Sequence, residues 1–257
     1  MALVNSHIEN RVAYVNLNRP KKRNALNSEL VVELKNVLRD LENNEACKVI
    51  ILSGEGEAFC AGADLEYLET LQKNTFEENL EDSNSLKELF EIIYHHKKII
   101  IAKLTGHAIA GGAGLATVCD LVYAVPECKL GYTEVRIGFI PAIVATFLLR
   151  KVGEAAAKEL LLGGHLISAD EALKMGMING VIEDKDIHEL VKLKAEEICL
   201  RCSGSSLTTT KALINMVQDN TISDALNKAA EMNAHSRATA DCQAGISAFL
   251  NKEKKVW

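Results

Sequence analysis

The chain lacks the features that would carry it out of the cell or into a membrane. Its opening, Met1-Ala-Leu-Val-Asn-Ser-His7, has no basic segment followed by an apolar core, and no apolar run reaches membrane-spanning length. A cytoplasmic protein without a membrane partner is expected. Its seven cysteines form an odd, scattered set, so reduced thiols and no structural disulfide are expected. A surplus of positive charge is also missing: 29 Lys and Arg against 35 Asp and Glu leave a formal charge of −6. That argues against a nucleic-acid surface and leaves room for an anionic small ligand at a local basic cluster. The patterns G-x-S-x-G, G-x-x-x-x-G-K-[ST] and a complete G-x-G-x-x-G are absent, which removes the hydrolase elbow, the P-loop and the dinucleotide fingerprint. The one C-x-x-C, Cys199 to Cys202, lies in a helical pattern with no second pair at zinc spacing, so no metal is expected. His95 and His96 are neighbours that a helix would point to different sides, and they read as a solvated helix end.

What remains is an ordinary globular composition, 48% apolar and 25% charged with only three prolines. A chain of 257 residues can bury a large core. Arg11 to Asn18 alternates as a strand and is broken by the basic turn Arg19-Pro-Lys-Lys-Arg-Asn24. Leu30, Leu34, Val37, Leu38 and Leu41 mark one face of a helix that opens near Ser28. Val49–Leu52, Ile99–Ile101, Leu121–Val125, Cys128–Leu130 and Ile178–Ile182 read as strands. Residues 70–85 read as a loop or a frayed helix before helical spacing resumes at Leu86. Ser168-Ala-Asp-Glu171 is a capping-box pattern for a short helix ending near Gly176. After Lys185 only helical patterns occur. The expected division is therefore an α/β core over 1–195 and a helical region over 196–257.

Two glycine-bearing turns stand out. In Gly106-His-Ala-Ile-Ala-Gly-Gly-Ala-Gly114 an apolar strand pattern leads through glycines into a small-residue helix, and in Ala58-Phe-Cys-Ala-Gly-Ala-Asp-Leu65 a second apolar approach ends at a glycine before a polar helix. Glycine lets a ligand approach the backbone, and the first N–H groups of a helix lack internal partners. Such a turn can hold an oxyanion, or can simply let a helix pack closely on a sheet.

These two blocks, with Arg19-Pro-Lys-Lys-Arg-Asn-Ala-Leu26, Cys119-Asp120 and Leu130-Gly-Tyr-Thr-Glu-Val-Arg-Ile-Gly-Phe-Ile-Pro141, resemble the crotonase superfamily of enoyl-CoA hydratases and isomerases, and the likeness extends to Gly245–Lys252. The resemblance implies a spiral of ββα units with a C-terminal helical region that forms trimers or hexamers. It also implies an acyl-CoA thioester substrate, with no cofactor beyond the coenzyme A of that substrate. By alignment, the amides of Ala63 and Gly111 would bind the thioester oxygen. Lys22, Arg23, Ala25, Ala61, Asp64 and Leu65 would line the CoA ester, and Phe249 and Lys252 would reach it, in some relatives from a neighbouring subunit. Glu134 matches the second catalytic glutamate, a general acid/base.

Where two-glutamate hydratases carry the first glutamate, this chain has Gly114, counted here among the substrate-binding positions. Water must then be held some other way, or a single base must move a proton without it. The Gly-Leu here, together with Pro141-Ala-Ile-Val and the terminal Val256-Trp257, is similar to bacterial methylglutaconyl-CoA hydratases of leucine breakdown. The resemblance leaves three readings: a hydratase, a Δ3,Δ2-enoyl-CoA isomerase, and a non-catalytic CoA-ester-binding protein. Gly114→Glu is expected to raise crotonyl-CoA hydration if the side chain fits.

Overall fold

In a computed structural model that describes residues 2–257, the chain forms two sheets surrounded by helices. The larger has the order β1 (Val4–Glu9), β2 (Val12–Leu17), β3 (Val49–Gly54), β5 (Ile99–Leu104), β7 (Leu121–Ala124) and β10 (Gly180–Val181). The smaller runs β4 (Ala58–Cys60), β6 (His107–Ile109), β8 (Lys129–Gly131) and β9 (Leu166–Ser168). Apart from the antiparallel edge pairs β1–β2 and β8–β9, neighbouring strands are parallel. Three times the chain lays one strand in the large sheet and the next in the small one before entering helix: β3–β4, β5–β6 and β7–β8. This is the ββα spiral that the resemblance implies.

The strands β3, β5 and β7 read as unbroken apolar runs because helices cover both faces of the sheet. Helix α1 (Ser28–Glu42) turns Leu30, Leu34, Leu38 and Leu41 into the core and is capped by the Asn27 side chain on the amide of Leu30. Helices α2 (Leu65–Leu71) and α3 (Phe76–His95) follow β4, α4 (Gly111–Val118) follows β6, and α5 (Ala142–Gly163) follows β8. Then come α6 (Ala169–Lys174), with the expected Ser168–Glu171 capping box, and α7 (Asp184–Arg201). The last three helices are α8 (Gly204–Gln218), α9 (Ile222–Arg237) and α10 (Ala240–Leu250). Among the described residues no helix is long and apolar enough to cross a membrane.

Several expectations change. Residues 76–85 are helix, opened by a Thr75–Glu78 capping box. Their side chains are mostly exposed, so they show no apolar stripe, and the buried half from Leu89 onward extends the helix cooperatively toward its cap. Strand β1 buries only Val4, which hides it from an alternation test. His96 is not solvated: it is 1% exposed, with Nε2 2.9 Å from the carbonyl of Leu38.

The boundary at residue 195 cuts through α7, whose Ile187, Val191, Ala195 and Cys199 are all buried. Helix α7 ends at Arg201 and α8 opens at Gly204. The helices beyond α7 are bonded to the core: Lys211 reaches Asp120 and the carbonyls of Ile93 and Lys98, and Asn215 reaches the carbonyl of Tyr94.

Candidate active site

In the small sheet β4, β6 and β8 are adjacent and parallel, with Cys60 opposite Ala108 and Ile109 opposite Gly131. Their C-terminal ends share one edge, so the segments 61–65, 110–112 and 132–137 stand side by side at strand spacing, roughly 5 Å apart. The first two touch: a Cβ placed on Gly62 would lie 3.0 Å from the Cβ of Ala110. Gly62 is left-handed, with φ +91°, so a side chain there is excluded by both backbone and space.

The N–H of Ala63 has its direction fixed by its own peptide group. The carbonyl of Gly62, at the other end of that group, accepts from the amide of Leu26 at 2.7 Å, and the amide of Asp64 returns to the carbonyl of Leu26 at 2.9 Å. A trans peptide points its C=O and N–H in opposite directions, so the N–H of Ala63 faces away from residue 26. On the other flank of β4 stands β6.

Gly111 is the first residue of α4, and its N–H belongs to the unpaired first turn. Ala110 before it holds φ 51°, ψ −123°, an outlying conformation for an alanine that costs on the order of 1–3 kcal/mol. Its amide is tied to the carbonyl of Gly131 at 2.8 Å and its carbonyl accepts from Gly114 at 3.0 Å, so neighbouring strand and helix hold the strain in place. The bent peptide sends the N–H of Gly111 back out of the helix start, where the dipole is positive.

Glu134 opens a short 3-10 turn, Glu134–Ile137, three residues beyond the end of β8. Its Oε2 is buried with no hydrogen-bond partner, one of two such side-chain atoms among the described residues. Burial raises the pKa of the carboxyl above the ordinary carboxylate value. A buried, unpaired carboxylate oxygen is costly unless a ligand meets it.

Gly114 does not line an open space. A Cβ there would lie 2.1 Å from Cγ1 of Val144 on α5 and 3.0 Å from the ring of Phe90 on α3. The position where a first glutamate would project is a packed helix contact, which contradicts its place among the substrate-binding positions and leaves unmet the condition that a Gly114→Glu side chain fits. Pro141-Ala-Ile-Val144 carries the blocking residue, and sequence pattern alone did not connect it to Gly114.

The residues assigned to the CoA end fall into two groups. Ala61 and Leu65 flank the Ala63 turn, and Leu65 is 78% exposed. Lys22 and Arg23 are exposed on the basic turn, with Lys22 bonded to Glu66 at 2.5 Å. Ala25 is buried and offers a methyl group, because its carbonyl is taken by Arg19. The Asp64 side chain is fully engaged: it caps α2 at the amide of Glu66 and pairs with Arg19 at 2.7 Å. Burial opposes its ionisation, but the bonds from Arg19 and from the amide of Glu66 outweigh that, and its carboxyl is held below the usual range. Both carboxylate oxygens thus hold the turn in place.

Phe249 lies at the end of α10, a helix that packs against α8 and α9, and Lys252 follows just after it. Helix α10 is bonded near its start to Ser203, and its Gly245 lies against Trp257, whose carbonyl accepts from Arg11 at the edge where β2 begins. The candidate site lies beyond the C-terminal ends of β4, β6 and β8 in the small sheet. Phe249 is 82% exposed. Among the described residues no hydrogen bond joins either of them to Ala63, Gly111 or Glu134.

Comparison with known proteins places nearly the whole chain in one family. The enoyl-CoA hydratase/isomerase family matches residues 7–257. A Thermus thermophilus protein provisionally named an enoyl-CoA hydratase is 43% identical over 94% of this chain and 95% of its own. The crotonyl-CoA hydratase of Syntrophomonas wolfei is 33% identical over 96% and 94%. The crystal structure of a Mycobacterium smegmatis enoyl-CoA hydratase superposes with a TM-score of 0.94 at 26% identity, covering 100% of this chain and 99% of that one. The family match and these likenesses in sequence and fold show that the chain belongs to the enoyl-CoA hydratase/isomerase family of enzymes.

Proposed function

We propose that the protein hydrates an enoyl-CoA thioester, with the amides of Ala63 and Gly111 as its oxyanion hole and Glu134 as its only acid/base. The observation that carries this reading is the buried, unpartnered Oε2 of Glu134 on the strand end next to the two donor turns. The ionised carboxylate takes a proton from water as the hydroxide oxygen bonds to C3. The electron pair moves onto the thioester oxygen, where two fixed N–H groups stabilise the enolate. The same carboxyl then returns its proton to C2, so one group serves both transfers.

With Val144 filling the place of a second carboxylate, we assign 3-methylglutaconyl-CoA as the substrate, because its distal carboxylate supplies an acceptor for the water that residue 114 cannot. That closed position also favours a second reading, the isomerase, in which Glu134 moves a proton from C2 to C4. Reactions of 3-methylglutaconyl-CoA, crotonyl-CoA and a 3-enoyl-CoA in ¹⁸O-labelled water separate the two. Labelled product, formed faster from 3-methylglutaconyl-CoA than from crotonyl-CoA, is expected. Efficient 3-enoyl to 2-enoyl conversion with no oxygen incorporated into any product would overturn the hydratase.

The same reading includes self-association as a trimer or hexamer. Ile214, Leu226, Ile246 and Phe249 expose apolar surface on the last three helices, and Phe249 and Lys252 would meet the site of another copy. A soluble monomer at micromolar concentration in sedimentation would rule this out.

A further inference from the structure

Arg19 lies on the basic turn, yet its guanidinium is turned inward and only 14% exposed. One arm, Nη1, donates to the carbonyl of Ala25 at 2.5 Å. That carbonyl and the N–H of Leu26 are two ends of one peptide group, and the Leu26 N–H donates to the carbonyl of Gly62 at 2.7 Å. The Gly62 carbonyl and the N–H of Ala63 are in turn two ends of the next. The cation is thus joined to the proposed oxyanion donor by two peptide groups in series, every link oriented from positive to negative.

Hydrogen bonds in such a chain polarise one another, and a charge at the head strengthens the last donor. The other arm, Nη2, pairs with Asp64 at 2.7 Å; Asp64 caps α2, and its amide is bonded to the carbonyl of Leu26. The backbone of Arg19 is held as well: its amide donates to Oδ1 of Asn24 at 2.9 Å and its carbonyl accepts the Asn24 amide at 3.0 Å. Planar, forked and always charged, arginine can hold both partners at once, which lysine cannot.

We propose that Arg19 is a positioning residue for the reaction, acting through the peptide groups 25–26 and 62–63 to aim and polarise the N–H of Ala63 toward the thioester oxygen. This rests on the oxyanion hole assigned above. The alternative is a brace that only keeps two loops together, and the two differ in what the bound carbonyl feels.

The test is difference infrared spectroscopy of butyryl-CoA, unlabelled and ¹³C-labelled at the thioester carbonyl, bound to the wild type, Arg19→Met and Arg19→Lys. Butyryl-CoA has no double bond to hydrate, so the readout does not depend on turnover. The wild type is expected to shift the carbonyl stretch to lower frequency. Arg19→Met should lose at least about half of that shift and Arg19→Lys less, with kcat for the hydrated ester down by about tenfold in Arg19→Met and KM changed far less. If Arg19→Met does not fold by circular dichroism, Arg19→Lys carries the comparison. A folded variant with the full wild-type shift would overturn the role of Arg19 and leave the oxyanion hole standing. No shift in the wild type would instead defeat the oxyanion assignment itself.

Discussion

The start of the large sheet and the end of the small sheet handle buried polar groups in opposite ways. Where β3, β5 and β7 begin, lysines enter the protein and each finds two or three acceptors. Lys48 donates to the carbonyls of Cys199 and Cys202, Lys151 to those of Thr117 and Cys119, and Lys211 to two carbonyls and Asp120. Burial depresses the pKa of Lys48 and Lys151, yet each caps the C-terminal end of a helix, where a cation is favoured. Beyond the strand ends, the Oε2 of Glu134 is buried with no partner, and the Ala63 and Gly111 amides are aimed away from the groups that could pair with them. Saturated groups hold a structure together; groups left open are available to a ligand whose charge changes during reaction.

The sharpest way to break this comparison is to disable the open region. Glu134→Gln keeps the shape and loses proton transfer, so turnover should fall by roughly 10²- to 10⁴-fold with CoA-ester binding retained by calorimetry; normal turnover would make Glu134 peripheral. Gly111→Pro deletes a donor and should cost at least ~10²-fold in turnover, and wild-type rates would refute the assignment.

In the saturated region the expected effect is on stability. Lys211→Met strands Asp120, which keeps part of its surface in water and the amide of Ile100 as a partner. A loss of roughly 2–4 kcal/mol in denaturant unfolding is expected, below the full cost of a stranded buried charge. The turnover of the folded fraction should be unchanged, and a catalytic defect without loss of stability would erase the distinction between the two regions.

Gly114→Glu forces a side chain into Val144 and should destabilise by roughly 1–3 kcal/mol without any gain in crotonyl-CoA hydration. A faster, stable variant would show that α5 yields and that the closed position is not a constraint.

The smallest effect tests the electrostatics of Glu134. Its raised carboxyl means the folded chain binds that proton more tightly than the unfolded one, so the group's contribution falls as pH rises from the ordinary carboxylate value through the raised one. Glu134→Gln should therefore raise Tm at neutral pH and lose that advantage near about pH 4. In the wild type the acid limb of the rate profile should lie above an ordinary carboxylate, because the base acts ionised; a limb at the ordinary value would contradict the burial.

Much of the frame was legible in the residues. The leucine stripe of α1, the apolar runs of β3 and β5 and the Ser168–Glu171 box are local patterns, and the structure realises each where its residues stand. Strand β1 and the first half of α3 escaped because their side chains are mostly exposed, and exposure leaves no periodic signature. Arg19 read as one of four basic residues on a loop, and nothing local distinguishes a guanidinium that turns inward from three neighbours at the surface.

By itself the sequence determined which segments could pair and which turns could expose backbone, because glycine tolerance, apolar periodicity and capping act within a few residues. Its resemblance to the family also singled out Glu134 as the one carboxylate matching either of the family's two glutamate positions. Only the tertiary structure decided that Gly62 lies against Ala110, that Val144 closes the space beside Gly114, and that Asp64 pairs with Arg19. Those are contacts between residues 30 to 48 positions apart. Their outcome depends on strand order and helix packing, which bring together side chains whose local patterns carry no information about one another.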